Sequence, residues 1–189
     1  VSIKAYAIDK VLLFGDSVMA GYGLPSDQRL SAVLENDLKK SGHEIKVING
    51  SVSGSTSSGG LNIVDWTLSE PDIDLMILGL GANDMLRGIN PSETKKNLEK
   101  IILTAKDKNI EIVLAGMYAP TTHGVNYKNN FDNIYTSLSK KYDLTLIPFL
   151  LEGVALNPEL NQSDGMHPNY EGTLVVSKTI KETILEIKK

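Results

Sequence analysis

The chain has three histidines, and the residues around them favour one as a catalytic base. His167 follows Asp164 by three residues in a turn that contains a glycine. This spacing lets the carboxylate accept a hydrogen bond from Nδ1 of the imidazole and leaves Nε2 free to take a proton. His43 lies in a turn at the amino end of a predicted strand, and His123 lies in a polar loop without a nearby carboxylate. A turn that only caps a helix is the alternative interpretation of the Asp-Gly sequence before His167.

A serine stands where a nucleophile is expected. Ser17 follows the first apolar run directly, two residues after Gly15, and so it falls at a strand-to-helix turn. A serine at that position can attack a carbonyl or can cap the helix. The chain has no cysteine, which excludes a thiolate nucleophile, disulfide bonds and zinc sites with cysteine ligands. The Gly-x-Ser-x-Gly motif of the α/β-hydrolases is also absent from the sequence.

Acyl transfer needs hydrogen-bond donors for the oxyanion, and three are available in the sequence. They are the backbone N–H of Ser17, a backbone N–H at Gly54 in a glycine-rich loop, and the side-chain amide of Asn83. A glycine lets the backbone approach a ligand without a Cβ in the way. Each such donor typically contributes about 3–4 kcal/mol to the stability of the transition state. We expect the neighbouring Asp84 to hold its loop rather than to react.

Five short apolar runs alternate with segments of helical spacing, which predicts a three-layer α/β domain with a parallel sheet. The runs are near-continuous, as in strands buried on both faces, and they cover residues 11–14, 45–48, 75–80, 110–115 and 144–147. Sites in such folds lie on the loops that follow the carboxyl ends of the strands. The candidate residues all fall on loops at that edge.

Length and charge narrow the possible partners and location. With 189 residues the chain is predicted to be a single domain, residues 1–189, with residues 1–9 as an N-terminal extension. The 19 basic and 23 acidic residues give a net charge of −4, which disfavours nucleic-acid binding. No apolar run approaches the roughly 18 residues that cross a bilayer. Ala5-Tyr6-Ala7 matches a signal-peptide cleavage site and favours a periplasmic or secreted location, with a cytoplasmic location as the alternative.

Four sequence blocks together resemble a known enzyme family. They occur in the order Gly15-Asp16-Ser17, Gly54, Asn83 and Asp164-x-x-His167. In this order they resemble the blocks of the SGNH, or GDSL, hydrolases, and most of all the bacterial branch with thioesterase I/lysophospholipase L1 and small arylesterases. The resemblance implies a flavodoxin-like fold with a five-stranded parallel sheet, activity on esters or thioesters, and no metal or organic cofactor.

The resemblance also implies roles for single residues. Ser17 would be the nucleophile, His167 the base and Asp164 the residue that orients the imidazole. Gly54 and Asn83 would complete an oxyanion hole with the Ser17 amide. Two departures from the branch, Ser55 after the second-block glycine and Gly79 before the third-block glycine, are expected to affect loop support or substrate preference.

The substrate is expected to be a small acyl ester of short to medium chain length, with thioesters and lysophospholipids as further candidates. We expect residues 118–130 to form one wall of the acyl pocket, with Tyr118, Pro120 and Met166 in contact with substrate. Two alternatives stay open. One is a carbohydrate O-deacetylase that uses the same catalytic blocks. The other is a non-enzymatic, flavodoxin-like binding domain that holds a phosphate in the loop of residues 51–60.

Overall fold

The computed structural model of the chain describes residues 7–188. Its centre is a five-stranded sheet in which every neighbouring pair of strands is parallel. The strand order is β2-β1-β3-β4-β5, which is the flavodoxin-like order. The strands are β1 (Lys10–Gly15), β2 (Lys46–Asn49), β3 (Leu75–Gly79), β4 (Glu111–Ala115) and β5 (Thr145–Ile147). The predicted fold class is therefore confirmed.

Helices cover both faces of the sheet. The α-helices are α1 (Ser17–Ala20), α2 (Leu30–Lys40), α3 (Ser57–Thr67), α4 (Ala82–Leu86), α5 (Pro91–Asp107), α6 (Val125–Tyr142) and α7 (Tyr170–Ile187). Helices α1, α2 and α7 pack on one face, and α3, α5 and α6 pack on the other. Side chains of a strand alternate between its faces, so Val11 and Leu13 enter one cluster while Leu12 and Phe14 enter the other.

The structure differs from the predicted elements mainly where strands end. The run of residues 75–80 leaves the sheet one residue early, because β3 ends at Gly79. The periodicity did not predict the short helices α1 and α4, which have four and five residues. Helices of that length show no full apolar stripe. They follow β1 and β3, which are neighbouring interior strands of the sheet, and they carry Ser17 and Asn83.

The segment before β1 is tied to the sheet from residue 8 onward. Ile8 is fully buried, and the N–H of Asp9 donates to Oδ2 of Asp74 over 2.8 Å. Residues 8 and 9 therefore belong to the folded domain rather than to an extension. Ala5 and Tyr6 of the predicted cleavage motif lie outside the described residues. None of the helices within residues 7–188 combines the length and apolar character needed to span a bilayer.

Candidate active site

Ser17 is the first residue of α1 and follows the interior strand β1 closely. The preceding Asp16 caps this helix, because its Oδ1 accepts a hydrogen bond from the N–H of Val18 over 3.1 Å. Gly21 ends the helix in the left-handed conformation, with φ of 72°. The turn thus places the serine hydroxyl at the carboxyl edge of the sheet.

Ser17, His167 and Asp164 form a continuous hydrogen-bonded series. Nε2 of His167 lies 2.9 Å from Oγ of Ser17, and Nδ1 lies 2.7 Å from Oδ2 of Asp164. The first of these bonds joins residues 150 positions apart in the chain. The second orients the imidazole so that Nε2 faces the serine, as a general base requires. The structure therefore brings together the three residues that the sequence placed on two separate loops.

Backbone hydrogen bonds hold the Asp164 carboxylate in place. Its Oδ1 accepts from the N–H of His167 at 3.0 Å and of Met166 at 2.9 Å. The hydrogen bonds from the His167 N–H and imidazole, followed by the Met166 N–H, lower the pKa of Asp164 from 3.8 to about 2. Asp164 is therefore ionised at neutral pH and can stabilise an imidazolium.

The second-block glycine lies in a tight turn whose backbone is held by side chains of the third block. The N–H of Ser55 donates to the carbonyl of Val52, and Gly54 has a φ of 79° that a residue with a Cβ rarely adopts. Nδ2 of Asn83 donates to the Ser55 carbonyl, and Nη2 of Arg87 donates to the Gly54 carbonyl, each over 3.1 Å. One short segment therefore both supplies Asn83 and fixes the Gly54 peptide.

Ser17, Gly54 and Asn83 line the same cleft. Within residues 7–188 the backbone N–H groups of Ser17 and Gly54 have no protein acceptor, so both are available to a ligand. The Asn83 amide has a second N–H besides the one given to the Ser55 carbonyl. These three donors fit an oxyanion site beside the serine hydroxyl.

Asp84 supports the loop, as expected from the sequence, and does not face the reacting groups. Its buried carboxylate accepts hydrogen bonds from the Ser57 N–H at 2.7 Å, from the Ser57 hydroxyl, and from the Thr94 hydroxyl at 3.1 Å. The amide at the start of α3 is thus bonded to a carboxylate of the chain itself. This corrects the interpretation that residues 51–60 hold a phosphate. A phosphate at the start of α3 would be repelled by the Asp84 carboxylate, which already accepts the Ser57 N–H.

Asp16 is a buried carboxyl group that sequence reasoning did not single out. It is 2% exposed and lines the floor of the cleft beside Ser17. Burial raises the pKa of Asp16 from 3.8 to about 6, although the Val18 N–H and the nearby His167 act in the opposite direction. Its position in the first block was visible in the sequence, but its burial depends on the packed sheet.

The cleft is a cavity of about 290 Å³ with mostly apolar walls. Its apolar lining includes Met85, Leu86, Met117, Leu151 and Met166. Of the three predicted substrate contacts, Met166 lies in this lining. No pattern in the sequence pointed to Met117 or Leu151, which follow β4 and β5 at the same edge.

Tyr118 and Pro120 do not line the cleft, which corrects the expected acyl wall from residues 118–130. The Tyr118 ring packs on Phe149 with centroids 5.0 Å apart, and Nζ of Lys128 lies 5.6 Å from its centroid. Pro120 is exposed and precedes a 3-10 turn, Thr121–His123. His123 is exposed on that turn, with its ring beside Tyr127.

The two positions at which the sequence departs from the bacterial branch of SGNH hydrolases, Ser55 and Gly79, lie close to the site. Ser55 supports this loop through its backbone, because its carbonyl accepts a hydrogen bond from the Asn83 amide. A Cβ at Gly79 would lie 3.2 Å from Cγ of Met19, the buried residue of α1. A larger residue at position 79 would therefore press on the helix that carries Ser17.

Comparison with known proteins gives consistent matches over most of the chain. The model of the GDSL-like Lipase/Acylhydrolase family matches residues 13–174. An arylesterase of Vibrio mimicus is 34% identical over 185 residues, which cover 98% of this chain and 92% of that protein. Thioesterase 1/protease 1/lysophospholipase L1 of Escherichia coli K12 is 37% identical over 170 residues, which cover 90% of this chain and 80% of that protein.

Solved structures agree with these matches. The crystal structure of AlinE4, an SGNH-hydrolase family esterase, is 39% identical and superposes with a TM-score of 0.80. The superposition covers 95% of this chain and 96% of AlinE4. The chain therefore belongs to the GDSL-like lipase/acylhydrolase family and is an ester hydrolase.

Proposed function

We propose that the protein is a serine esterase that hydrolyses short- to medium-chain acyl esters through an acyl-enzyme on Ser17. The observation that carries the proposal is the 2.9 Å contact between Oγ of Ser17 and Nε2 of His167, with Asp164 on the other imidazole nitrogen. A nucleophile, a base and an orienting carboxylate within hydrogen-bond reach are the requirements of acyl transfer by serine.

In the first half of the reaction, Oγ of Ser17 forms a bond to the ester carbonyl carbon while its proton passes to Nε2 of His167. The carbonyl oxygen becomes an oxyanion, and the Ser17 and Gly54 amides and the Asn83 side chain donate to it. The bond from the carbonyl carbon to the leaving oxygen then breaks. That oxygen takes the proton from His167, so an alcohol leaves and an acyl-serine remains.

In the second half, a water molecule attacks the acyl-serine carbonyl and gives one proton to Nε2 of His167. The same donors stabilise the second oxyanion. When the bond to Oγ breaks, His167 returns the proton to Ser17 and the carboxylic acid leaves. Asp164 stays ionised throughout, because its pKa of about 2 lies far below neutral pH.

The walls of the cleft support an acyl chain rather than a sugar as the group that is bound. Three methionines and two leucines line it, and methionine side chains adapt to ligands of different shape. A volume of about 290 Å³ lies just below the range of small-molecule sites, which is roughly 300–1,000 Å³. We therefore favour short to medium acyl chains over carbohydrate O-acetyl groups.

The nucleophile is tested with a fluorophosphonate probe, intact-mass measurement and peptide mapping, with Ser17→Ala as the control. We expect a single adduct on Ser17 that is absent from the variant. A folded protein that forms no adduct and leaves p-nitrophenyl acetate intact would contradict the proposal.

The substrate is tested by comparing kcat/KM for p-nitrophenyl esters of increasing chain length, an acyl thioester, a lysophospholipid and an acetylated sugar. We expect the highest value for a short- to medium-chain ester. A clear preference for the acetylated sugar would instead favour the O-deacetylase.

A further inference from the structure

The loop that carries Asp164 and His167 is exposed, and the side chain of Gln162 connects it to the nucleophile segment. Residues 163–166 are all exposed. The loop closes on itself, because the N–H of Gln162 donates to the carbonyl of His167 over 2.7 Å and the N–H of Gly165 donates to the carbonyl of Gln162. These local bonds shape the loop, but they do not set its distance from Ser17.

The amide of Gln162 spans the gap between the two parts of the site. Its Nε2 donates to the carbonyl of Pro168 over 2.9 Å and to the carbonyl of Tyr22 over 2.7 Å. Both of its N–H groups are thereby used. Pro168 directly follows His167, and Tyr22 lies two residues beyond the end of α1, so the amide joins the segment of the base to the segment of the nucleophile.

Two neighbouring features fit this bridge. A Cβ at Gly23 would lie 2.2 Å from Oε1 of Gln162, so the amide passes where only a glycine leaves room. The ring of Tyr22 lies against the ring of His167, with centroids 4.7 Å apart. The residue whose carbonyl is bound by Gln162 thus also contacts the imidazole.

We propose that Gln162 is a positioning residue that sets the distance between Ser17 and His167. The inference rests on the proposed function, because it assigns Gln162 to the proton transfer between these two residues. Gln162 contacts neither reacting atom, so it acts only through the two carbonyls it binds. Misplacement of reacting groups by about 1 Å can cost on the order of 100-fold in rate.

The first test is Gln162→Ala, with Ser163→Ala as the matched control in the same exposed loop. We expect Gln162→Ala to lower kcat and the rate of fluorophosphonate labelling in parallel, by about 10–100-fold, with KM changed by less than about 2-fold. Ser163→Ala should keep wild-type values. A Gln162→Ala variant with wild-type kcat would overturn the proposal, whether or not its KM is raised.

Gln162→Glu supplies a pH-dependent readout that general destabilisation would not produce. A protonated carboxyl can donate to one of the two carbonyls, whereas an ionised carboxylate is repelled by both. We expect the kcat of Gln162→Glu relative to wild type to fall as pH rises from about 4 to 7, because a glutamate ionises from its ordinary pKa of roughly 4.3 upward, while the ratio for Gln162→Ala stays constant. A Gln162→Glu ratio that is flat or rises with pH contradicts the role.

Gly23→Ala tests the same contact from the other side. In the wild-type background it should lower kcat through both backbone strain and displacement of Gln162, but in the Gln162→Ala background only the strain remains. We expect the two losses to be clearly less than additive, and additive losses would count against the bridge. Ser17-dependent hydrolysis by the wild type is measured first, so failure of the proposed function is distinguished from failure of this inference.

Discussion

At the scale of residues, Ser17 and His167 should behave as one unit, because the proposed mechanism passes the serine proton to the imidazole nitrogen 2.9 Å away. We expect Ser17→Ala and His167→Ala each to lower kcat on the order of 10⁶-fold, and the double variant to lower it little further. Asp164→Asn should cost less, about 10⁴-fold. Measured kcat values for the four variants check this, and near-additive losses for the serine and histidine would contradict the triad.

Arg87 is a second residue whose effect can be predicted, because it holds the carbonyl of Gly54 from the end of α4. Arg87→Ala should free the Gly54 carbonyl and so loosen the turn that positions the Gly54 N–H. We expect kcat to fall by about 10-fold with a smaller change in KM, because this N–H donates mainly to the oxyanion of the transition state. Lys96→Ala on the exposed face of α5 is the control. Equal kcat values for the two variants would show that Arg87 does not support the oxyanion site.

At the scale of elements, α4 depends on a buried carboxylate for its position. A helix of five residues is too short to be stable alone, and Asp84 anchors it to α3 and α5 through the amide and hydroxyl of Ser57 and the hydroxyl of Thr94. Because α4 carries Asn83, the same anchor aligns the proposed oxyanion site with the sheet edge.

Asp84→Asn should therefore reduce both stability and turnover. Replacing the carboxylate removes charge-assisted hydrogen bonds and leaves a buried donor unpaired, which costs about 2–3 kcal/mol in the free energy of unfolding. Urea denaturation and kcat measure the two effects. Asp65→Asn, at an exposed position of α3, is the matched control, and a stability loss of the same size in both variants would refute the assigned role.

At the scale of the whole molecule, the buried Asp16 makes stability depend on pH. In the folded protein the pKa of Asp16 is about 6, which is above the ordinary aspartate value of 3.8, so folding favours the protonated carboxyl. The contribution of Asp16 to the free energy of unfolding is fully present below pH 3.8 and is lost as pH rises through 6. Asp164 acts in the opposite sense, because its contribution is present above pH 3.8 and is lost as pH falls through about 2.

The difference in free energy of unfolding between wild type and Asp16→Asn should therefore change between pH 4 and pH 7. We expect wild type to lose roughly 2 kcal/mol relative to the variant over this range, which is most of the roughly 3 kcal/mol that corresponds to the full pKa shift at about 1.4 kcal/mol per pH unit. Asparagine keeps an acceptor for the Val18 N–H. Urea denaturation at several pH values measures this difference, and a constant difference would mean that Asp16 does not titrate on folding.

Local patterns in the sequence were enough to predict the fold class and to select candidate residues, to which the resemblance to the SGNH hydrolases then assigned roles. Near-continuous apolar runs indicate strands buried on both faces, and such strands in alternation with helices form a parallel sheet. The carboxyl ends of those strands meet at one edge, so the loops with Ser17, Asn83 and His167 were expected to lie together. The spacing of apolar residues along the chain carries this information about strands and helices, because that spacing depends only on which side chains avoid water.

Only the tertiary structure decided which further side chains reach the site. Gln162 meets Tyr22 across 140 positions of sequence, and Arg87 meets Gly54 across 33. Tyr118 packs on Phe149 rather than in the cleft. Such contacts depend on strand order, loop path and side-chain packing, none of which has a local pattern. The sequence by itself therefore determined the parallel sheet and the edge at which the candidate residues meet, whereas the folded chain determined how those residues are held, how Asp16 is buried and what lines the cleft.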